Sequence, residues 1–471
     1  MSLLWTIDEF TSAIDGRPVG EMPEGVDGIS IDTRTLEKGD AFFAIKGDNM
    51  DGHDYLANAM RSGAALAVVD ETKLVSLGSL KLPLLVVSDV MDAMRRLGEV
   101  SRLRSKAQII AVTGSVGKTS TKEMLRSVLA ASGKVHASAA SYNNHWGVPL
   151  TLARMPRDTR FGVFEIGMNN GGEITPLVAM VRPHIAIITN IAAAHIGAFD
   201  TIEDIARAKA EIYSGVVPGG YALINHDDRR YTLLRDLAHE ANIEHLNSFG
   251  TKRGSEFWIR EMKPSSEGTF MSVRVNGETD IEYDVSLPGE HMAMNSAAVL
   301  GAALLAGADV SKTKDAFSKL EPTEGRGARY VLGGSGAMGI TIIDESYNAN
   351  PASMEAGLKL LANFEGVKTK RRIAVLGDML ELGRQSKKLH EALAAPIAAA
   401  GVDLVFLVGP EMENLCKILP KDKLGGYFKD ADTLIPRLRE TMKGGDVLML
   451  KASKGIGFAK VVEELLNTEK T

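Results

Sequence analysis

Short apolar runs alternate with helical periodicities along most of this chain, which is the pattern of βα units built around buried parallel sheets. In the first part, strands are predicted at 28–31, 40–46, 65–69 and 84–87, and a helix over 90–104 leads to a polar junction at Ser105-Lys106. The run at 108–112 opens a second part, with further buried strands at 162–166, 185–189 and 222–224. Between 247 and 288 the pattern changes: segments at 257–259, 269–273 and 281–285 alternate apolar and polar positions and are separated by turns, which predicts an antiparallel insert. Glu321-Pro322-Thr323-Glu324-Gly325-Arg326-Gly327 reads as a hinge, and beyond it the alternation restarts with strands at 340–344, 373–376, 404–408 and 447–450. The expectation is an α/β protein of three domains: a small α/β domain over 1–105, a central parallel-sheet domain with an antiparallel insert over 106–328, and a doubly wound, Rossmann-like domain over 329–471.

Composition narrows the function classes. The 471 residues are 45% hydrophobic and 24% charged, an ordinary globular balance. The net charge is −6 and no basic block stands out, which argues against a nucleic-acid partner. The single cysteine, Cys416, excludes an internal disulfide and a cysteine metal cluster; it follows the strand at 404–408 in a predicted helix and reads as a small core residue. The first residues lack the basic and long apolar parts of a signal peptide, and the most apolar stretch, 297–307, is too short to span a bilayer. A cytoplasmic protein without membrane insertion is expected.

The strongest chemical signal is Gly114-Ser115-Val116-Gly117-Lys118-Thr119-Ser120, placed between the run at 108–112 and an amphipathic stretch over 121–130. Strand, glycine loop and helix form the context of a phosphate-binding loop, in which backbone N–H groups and a helix N-terminus cradle phosphate oxygens. Lys118 would reach the β/γ-phosphates and the Thr119 hydroxyl would hold Mg²⁺. The spacing GxxGK[TS] is shorter than the common GxxxxGK[ST], which points to a narrower set of ATP users.

Other positions are open to two readings. Glu165 ends the strand at 162–166, where ligands of parallel sheets sit, so it could hold Mg²⁺; a helix cap or surface carboxylate is the alternative. His195 follows the strand at 185–189, and a lone histidine is more often structural than a ligand. Lys209, on a predicted helix over 202–213 with Arg207 nearby, reads as part of a solvated basic face. Asn295 is by itself a polar residue near the start of an apolar helix.

The segments GSVGKTS, EIGMNNGGEI, TNIAAAHIGAF, ARAKAEIYSG, GEHMAMNSAA and DESYNANP occur in this order over nearly the whole chain, and together they resemble the Mur ligase superfamily of ATP-dependent amide-bond-forming enzymes. Three stretches resemble the branch that joins D-alanyl-D-alanine to a UDP-N-acetylmuramoyl-tripeptide. They are Ile31 through Tyr55, Ser346-Tyr347-Asn348-Ala349-Asn350-Pro351, and Leu376-Gly377-Asp378-Met379-Leu380-Glu381-Leu382-Gly383. The resemblance implies a monomer whose two substrates are that nucleotide and that dipeptide.

It also implies site roles. Thr119, Glu165 and His195 match Mg²⁺ positions, and Lys209 matches a lysine carbamylated in several members, so that with two Mg²⁺ ions it would serve as a metal ligand. Lys118, Lys209, His195 and Arg326 are implied in catalysis. Asn295 matches an adenine-contacting asparagine, while Arg326 and Asp344 match positions that close over ATP. Asp32, Thr33, Arg34, Lys46, Gly47, Asp48 and His53 match the UDP-binding domain. Asn143 and Asn144 match the muramoyl-peptide loop, and Asn348, Asn350 and Asp378 complete the substrate set. Two departures stand out: His145-Trp146 precede Gly147 where some members carry Asp-Ile, and Lys451-Ala452-Ser453-Lys454-Gly455 has Ala in place of Gly in a KGS-type segment.

The implied chemistry is activation of a carboxylate as an acyl phosphate, which an amine then attacks. Two other functions compete. A folylpolyglutamate synthase-like ligase would normally start near the phosphate loop, whereas about 105 residues precede it here. An ATP-binding switch would not need Glu165, His195 and Lys209 together with a third α/β domain.

Overall fold

The computed structural model describes residues 3–47, 49–77, 81–139, 141–193, 196–265, 268–333, 339–364 and 370–467. Three larger sheets follow one another along the chain, each with helices against it, as the alternating pattern requires.

The first sheet has five strands, in the order Arg17–Val19, Leu84–Val87, Leu66–Asp70, Asp40–Phe43, Gly28–Ser30; all pairs are parallel except the edge pair of Arg17–Val19 with Leu84–Val87. Helix Val90–Arg104 starts at Asp89, whose side chain accepts from Asp92 N, and buries Val90, Ala93, Met94 and Leu97. The same helix meets Gly147–Ala153 of the next unit. At the crossing, Gly98 lies so close that a Cβ there would stand 3.0 Å from Pro149 O. Two long-range hydrogen bonds fasten this contact: Trp5 Nε1 donates to Ala153 O (3.0 Å) and Arg154 Nε donates to Ile29 O (2.6 Å).

The central sheet has nine strands, from Thr279–Val285 at one edge to Val135–Ala137 at the other. Strand Gln108–Thr113 lies inside it, between Ile185–Ile188 and Phe161–Glu165, and is parallel to both. Its successive residues face opposite cores: Ile109 and Ala111 join one buried cluster, Ile110 and Val112 the other. The chain leaves this strand toward the Val135–Ala137 edge and later returns on the other side with Ile185–Ile188. That reversal opens a crevice at the carboxyl ends of the strands, the position where open α/β sheets bind ligands.

The expected insert is not separate. Phe249 and Gly250 pair in parallel with Phe257 and Trp258, so strand Phe257–Pro264 continues the central sheet, and Thr269–Val275 and Thr279–Val285 extend it as antiparallel hairpins. Strand His245–Gly250, which the sequence pattern does not announce, is the missing join. It carries few apolar residues because only its last part is buried.

The third sheet has six strands in the order Ala328–Leu332, Ile340–Glu345, Asp446–Lys451, Arg371–Gly377, Leu404–Val408, Leu424–Phe428; only the first pair is antiparallel. Its two edge strands escaped the sequence reading because their half-buried residues do not form an apolar run. Cys416 ends helix Met412–Cys416 and is half-buried, packed at the margin of the core and not within it. Among the described residues no helix is long and apolar enough to cross a membrane.

The Trp5–Ala153 bond should be measurable as stability. Trp5→Phe keeps a ring against Phe10 but leaves the buried Ala153 carbonyl without its donor, at a cost of about 1–3 kcal/mol. Urea unfolding followed by circular dichroism should show a lower midpoint; an unchanged midpoint would mean that the bond contributes nothing net.

Candidate functional site

The crevice beside strand Gln108–Thr113 becomes a cavity of about 450 Å³ because the third sheet covers it; Lys118, Thr119, Asn143, Glu165, Arg326 and Tyr347 are among the residues that line it. The glycine loop is shaped by close contacts. Gly114 has φ +150°, and a Cβ there would stand 1.9 Å from Thr189 Oγ1. Gly117, with φ +88°, starts helix Lys118–Ala130 without a side-chain cap, so the N–H groups of the first turn are left for a ligand. A neighbouring loop holds the glycine loop in place: Ser115 N donates to Asn190 O and Val116 N to Asn190 Oδ1, both at 2.9 Å. Asp228 in turn accepts from Ile191 N at 2.6 Å. An anion fits this arrangement of unpaired N–H groups, close glycines and a lysine.

Lys118 Nζ donates to Gly114 O at 2.7 Å. Burial lowers the Lys118 pKa, Glu165 opposes that shift and Arg326 adds to it. The Thr119 hydroxyl donates to Glu165 Oε2 at 2.8 Å and accepts from Arg326 Nη2 at 3.0 Å. Glu165 is 1% exposed, and its other oxygen accepts from Asn143 Nδ2 at 2.8 Å. Thr119 and Glu165 are therefore adjacent hard-oxygen donors beside the glycine loop, which suits Mg²⁺ bound partly by phosphate and water. Among the described residues no group of three or more His, Cys, Asp or Glu side chains could hold a metal. His195 and Asp48 lie outside the described residues.

Lys209 corrects the expectation of a solvated face. It is 1% exposed, near the end of helix Ile202–Ala210. Burial, and then the charge of Lys118, hold its pKa well below the usual lysine value. The helix is shorter than expected because a 3₁₀ segment, Glu211–Gly215, replaces its last turn.

The remaining expected residues divide into two groups. Asn295 is buried on helix Glu290–Leu305 and packs on the glycine loop, with its Oδ1 3.0 Å from where a Gly117 Cβ would be. Ser120 and Asn348 line the cavity, and so does Asn350, although its side chain accepts from Ser353 N and caps helix Pro351–Ala362. Asn144 Oδ1 accepts from Gly147 N in the neighbouring turn.

Two acids do not reach the cavity. Asp344 is buried and accepts from Gly325 N and Ser346 N, which makes it the clamp of the loop that presents Arg326. Asp378 is buried and accepts from Glu411 N and Met412 N. Burial raises its pKa against those bonds, so it serves the third sheet's own loops.

The N-terminal set also lies away from the cavity. Asp32 and Arg34 form an ion pair with each other at 2.5 Å, and Arg34 holds the Asp32 carboxyl below its ordinary pKa. Thr33 is half-buried beside them, and Lys46 and Gly47 are exposed in a tight loop where Gly47 N donates to Met50 O at 2.8 Å. His53 is internal: its Nε2 accepts from Asp70 N (3.0 Å), which leaves Nδ1–H to donate to Asp51 Oδ1 (2.6 Å). A ring with both nitrogens engaged has none left for a ligand.

Sequence reading missed Asn190, His291, Glu345, Tyr347 and Lys451 as cavity residues. Lys451 is 2% exposed and donates to Glu345 Oε2 (3.1 Å) and Asn348 O (3.0 Å). It ends strand Asp446–Lys451, so the rule that singled out Glu165 at a strand's carboxyl end applied to it equally.

Three family models match in succession: the Mur ligase family catalytic domain over 25–112, the Mur ligase middle domain over 112–303, and the Mur ligase glutamate ligase domain over 331–454. A UDP-N-acetylmuramoyl-tripeptide–D-alanyl-D-alanine ligase of Synechocystis is 35% identical over 447 residues, 94% of this chain and 92% of that protein. A crystal structure of MurF from Acinetobacter baumannii superimposes with a TM-score of 0.83 at 28% identity, covering 98% of this chain and 99% of that one. A MurF ligase from Thermotoga maritima in complex with ADP superimposes with a TM-score of 0.75 at 26% identity, covering 94% of this chain and 97% of that one.

The contact at Gly114 gives a direct test of the loop. In Gly114→Ala the new Cβ forces the loop off Thr189, and a displacement of about 1 Å at a reacting group costs about 10²-fold in rate. Nucleotide turnover should fall by that order while circular dichroism is unchanged; wild-type turnover would mean that the loop does not hold the nucleotide.

Proposed function

The chain belongs to the Mur ligase family, and from that premise we propose that it joins D-alanyl-D-alanine to UDP-N-acetylmuramoyl-tripeptide through an acyl phosphate, with ATP consumed, as a step of peptidoglycan precursor synthesis. The observation that carries this reading is the convergence of Lys118, Thr119, Glu165 and Asn143 from the second unit, Arg326 from the hinge, and Tyr347 and Asn348 from the third unit around one cavity. The relatives' names and the ADP complex of the Thermotoga protein support the substrates and the nucleotide. We divide the chain after 105 and near 328, at the start of strand Ala328–Leu332, and assign the first unit to the UDP end. A separate family match over 25–112 favours this over a folylpolyglutamate synthase-like ligase. We place the protein in the cytoplasm, where ATP and a UDP-linked substrate are supplied, and take it to act as a monomer.

The roles follow from the geometry. The glycine loop and the first turn of helix Lys118–Ala130 bind phosphate oxygens, and Lys118 bears on the phosphate that is transferred. Asn295 packs on that loop from the side where the adenine would lie. Thr119 and Glu165 hold Mg²⁺, and we assign His195 to the same set. When bound, Mg²⁺ neutralises charge between phosphate and acceptor carboxylate. Arg326 lies in the hinge that Asp344 of the third unit clamps at Gly325, and it brings a cation to Thr119. Asn143 and Asn144 hold the tripeptide end, while Asn348 and Asn350 face the dipeptide from the third unit. Together the two units keep water from the acyl phosphate.

Lys209 is assigned as a carbamate. A second ammonium beside Lys118 is disfavoured by burial and by like charge, and its lowered pKa supplies the neutral amine that CO₂ requires. The sign is direct: the amine loses its proton as pH rises through a folded pKa already below the ordinary lysine value.

Phosphate release should depend on both D-alanyl-D-alanine and the UDP-tripeptide, and assays with the diaminopimelate and the lysine tripeptides separately will fix the third residue. A nucleotide switch would release phosphate without the dipeptide or not at all. Lys118→Ala should lower ligation on the order of 10²-fold or more while the fold persists. Lys209→Ala should be nearly inactive, with partial rescue by a short-chain carboxylic acid in the vacated site. An absence of rescue, together with an unmodified ammonium in a high-resolution nucleotide complex, would reject the carbamate and leave the ligase reading in place.

A further inference from the structure

Tyr347 has no role in the reading above, yet its side chain ties the third unit to the second. It belongs to the loop between strand Ile340–Glu345 and helix Pro351–Ala362 of the third unit. Its backbone is pinned: Tyr347 N donates to Gly325 O at 3.1 Å, and Gly325, at φ +70°, comes so close that a Cβ there would lie 2.9 Å from Tyr347 Cβ. The Arg326 guanidinium stands 4.1 Å over the ring, within cation–π range. At its far end, the Tyr347 hydroxyl donates to Ser141 Oγ at 2.6 Å, across to the second unit.

Ser141 opens the loop that carries Asn143, and Asn143 N donates to Ser141 O at 2.9 Å. From there the contacts run in a closed circuit. Asn143 holds Glu165, Glu165 accepts from Thr119, Thr119 accepts from Arg326, and Arg326 lies on the Tyr347 ring. The third unit thus enters the circuit directly through Tyr347, and through Arg326 of the hinge that Asp344 clamps. Arg326 touches the nucleotide side at Thr119, and Tyr347 touches the tripeptide side at Ser141. The Tyr347–Ser141 tie cannot form unless the third unit is seated on the second, because its partners are 206 residues apart in sequence and belong to loops of different units.

We propose that Tyr347 is a positioning residue that couples the seating of the third unit to the order of the Ser141–Asn143 loop, through its hydroxyl and not through its ring alone. The inference rests on the ligase reading only for its kinetic consequence. Tyr347→Phe keeps the ring under Arg326 and removes one neutral hydrogen bond, whose net worth corresponds to roughly three- to tenfold. Ser141→Ala removes the same bond from the other side.

The test combines hydrogen exchange with a double-mutant cycle. In the full-length protein with ADP, amides at 141–147 should exchange faster in Tyr347→Phe than in wild type, while those of helix Lys118–Ala130 do not change. Each single variant should lose roughly three- to tenfold in kcat/KM for the UDP-tripeptide, with nucleotide affinity within about twofold of wild type, and the double variant should lose no more than either single. Unchanged exchange at 141–147, or a double-variant loss equal to the product of the singles, would overturn the role of Tyr347. Wild-type protein that releases no phosphate with the dipeptide would count against the ligase reading instead, and the exchange result would still decide Tyr347.

Discussion

The buried carboxylate of Glu165 is the constraint around which the site is arranged. An ionised group that is 1% exposed would be costly without partners, and its partners are drawn from separate parts of the chain. Thr119 comes from the glycine loop's helix, Asn143 from the loop after strand Val135–Ala137, and the Lys118 charge lies close enough to feel it. Arg326 then reaches the same Thr119 hydroxyl from the hinge before the third sheet. Removing any one contributor leaves the others facing an under-satisfied anion. The carboxylate therefore registers three loops and two sheets against one another.

Charge balance explains why this registration suits phosphate. The chain as a whole carries a net −6, yet the crevice brings Lys118 and Arg326 together beside the buried Glu165. A local excess of cations in a partly water-excluded cleft attracts an anionic ligand more strongly than the same charges would at the surface. The glycine loop adds N–H groups at an uncapped helix start, so cations and backbone dipoles point to one place.

How much of this was legible in the sequence depended on whether a signal was local. The glycine loop was, because a strand, two glycines, a lysine and a threonine are contiguous. The helix over 90–104 was read to its observed ends because Asp89 caps it and Ser105 leaves it in an extended conformation. Lys209 was not, since a lysine followed by an acid on an amphipathic helix looks solvated until the 3₁₀ turn after Ala210 and the neighbouring sheet bury it. His53 misled for another reason. Its segment resembles the family's UDP-binding domain, but both its nitrogens serve the backbone and side chain of its own unit. Asp344 and Asp378 show that a carboxylate at a strand end can face a turn as readily as a ligand. Tyr347 depends on a partner 206 residues away that no local pattern encodes, whereas Lys451 sits at a strand's carboxyl end and was open to the same rule as Glu165.

The most demanding feature is the pair of lysines. Placing Lys209 out of water next to Lys118 disfavours its ammonium twice, by desolvation and then by like charge. Between its folded and unfolded pKa values the unfolded chain binds more protons, so an unmodified Lys209 makes stability rise with pH and fall as the pH drops toward the folded value. A fold that needed only packing at this position would gain by an apolar residue of similar length. The surroundings of Lys209 therefore favour a neutral amine over an ammonium, which a position that served packing alone would not require.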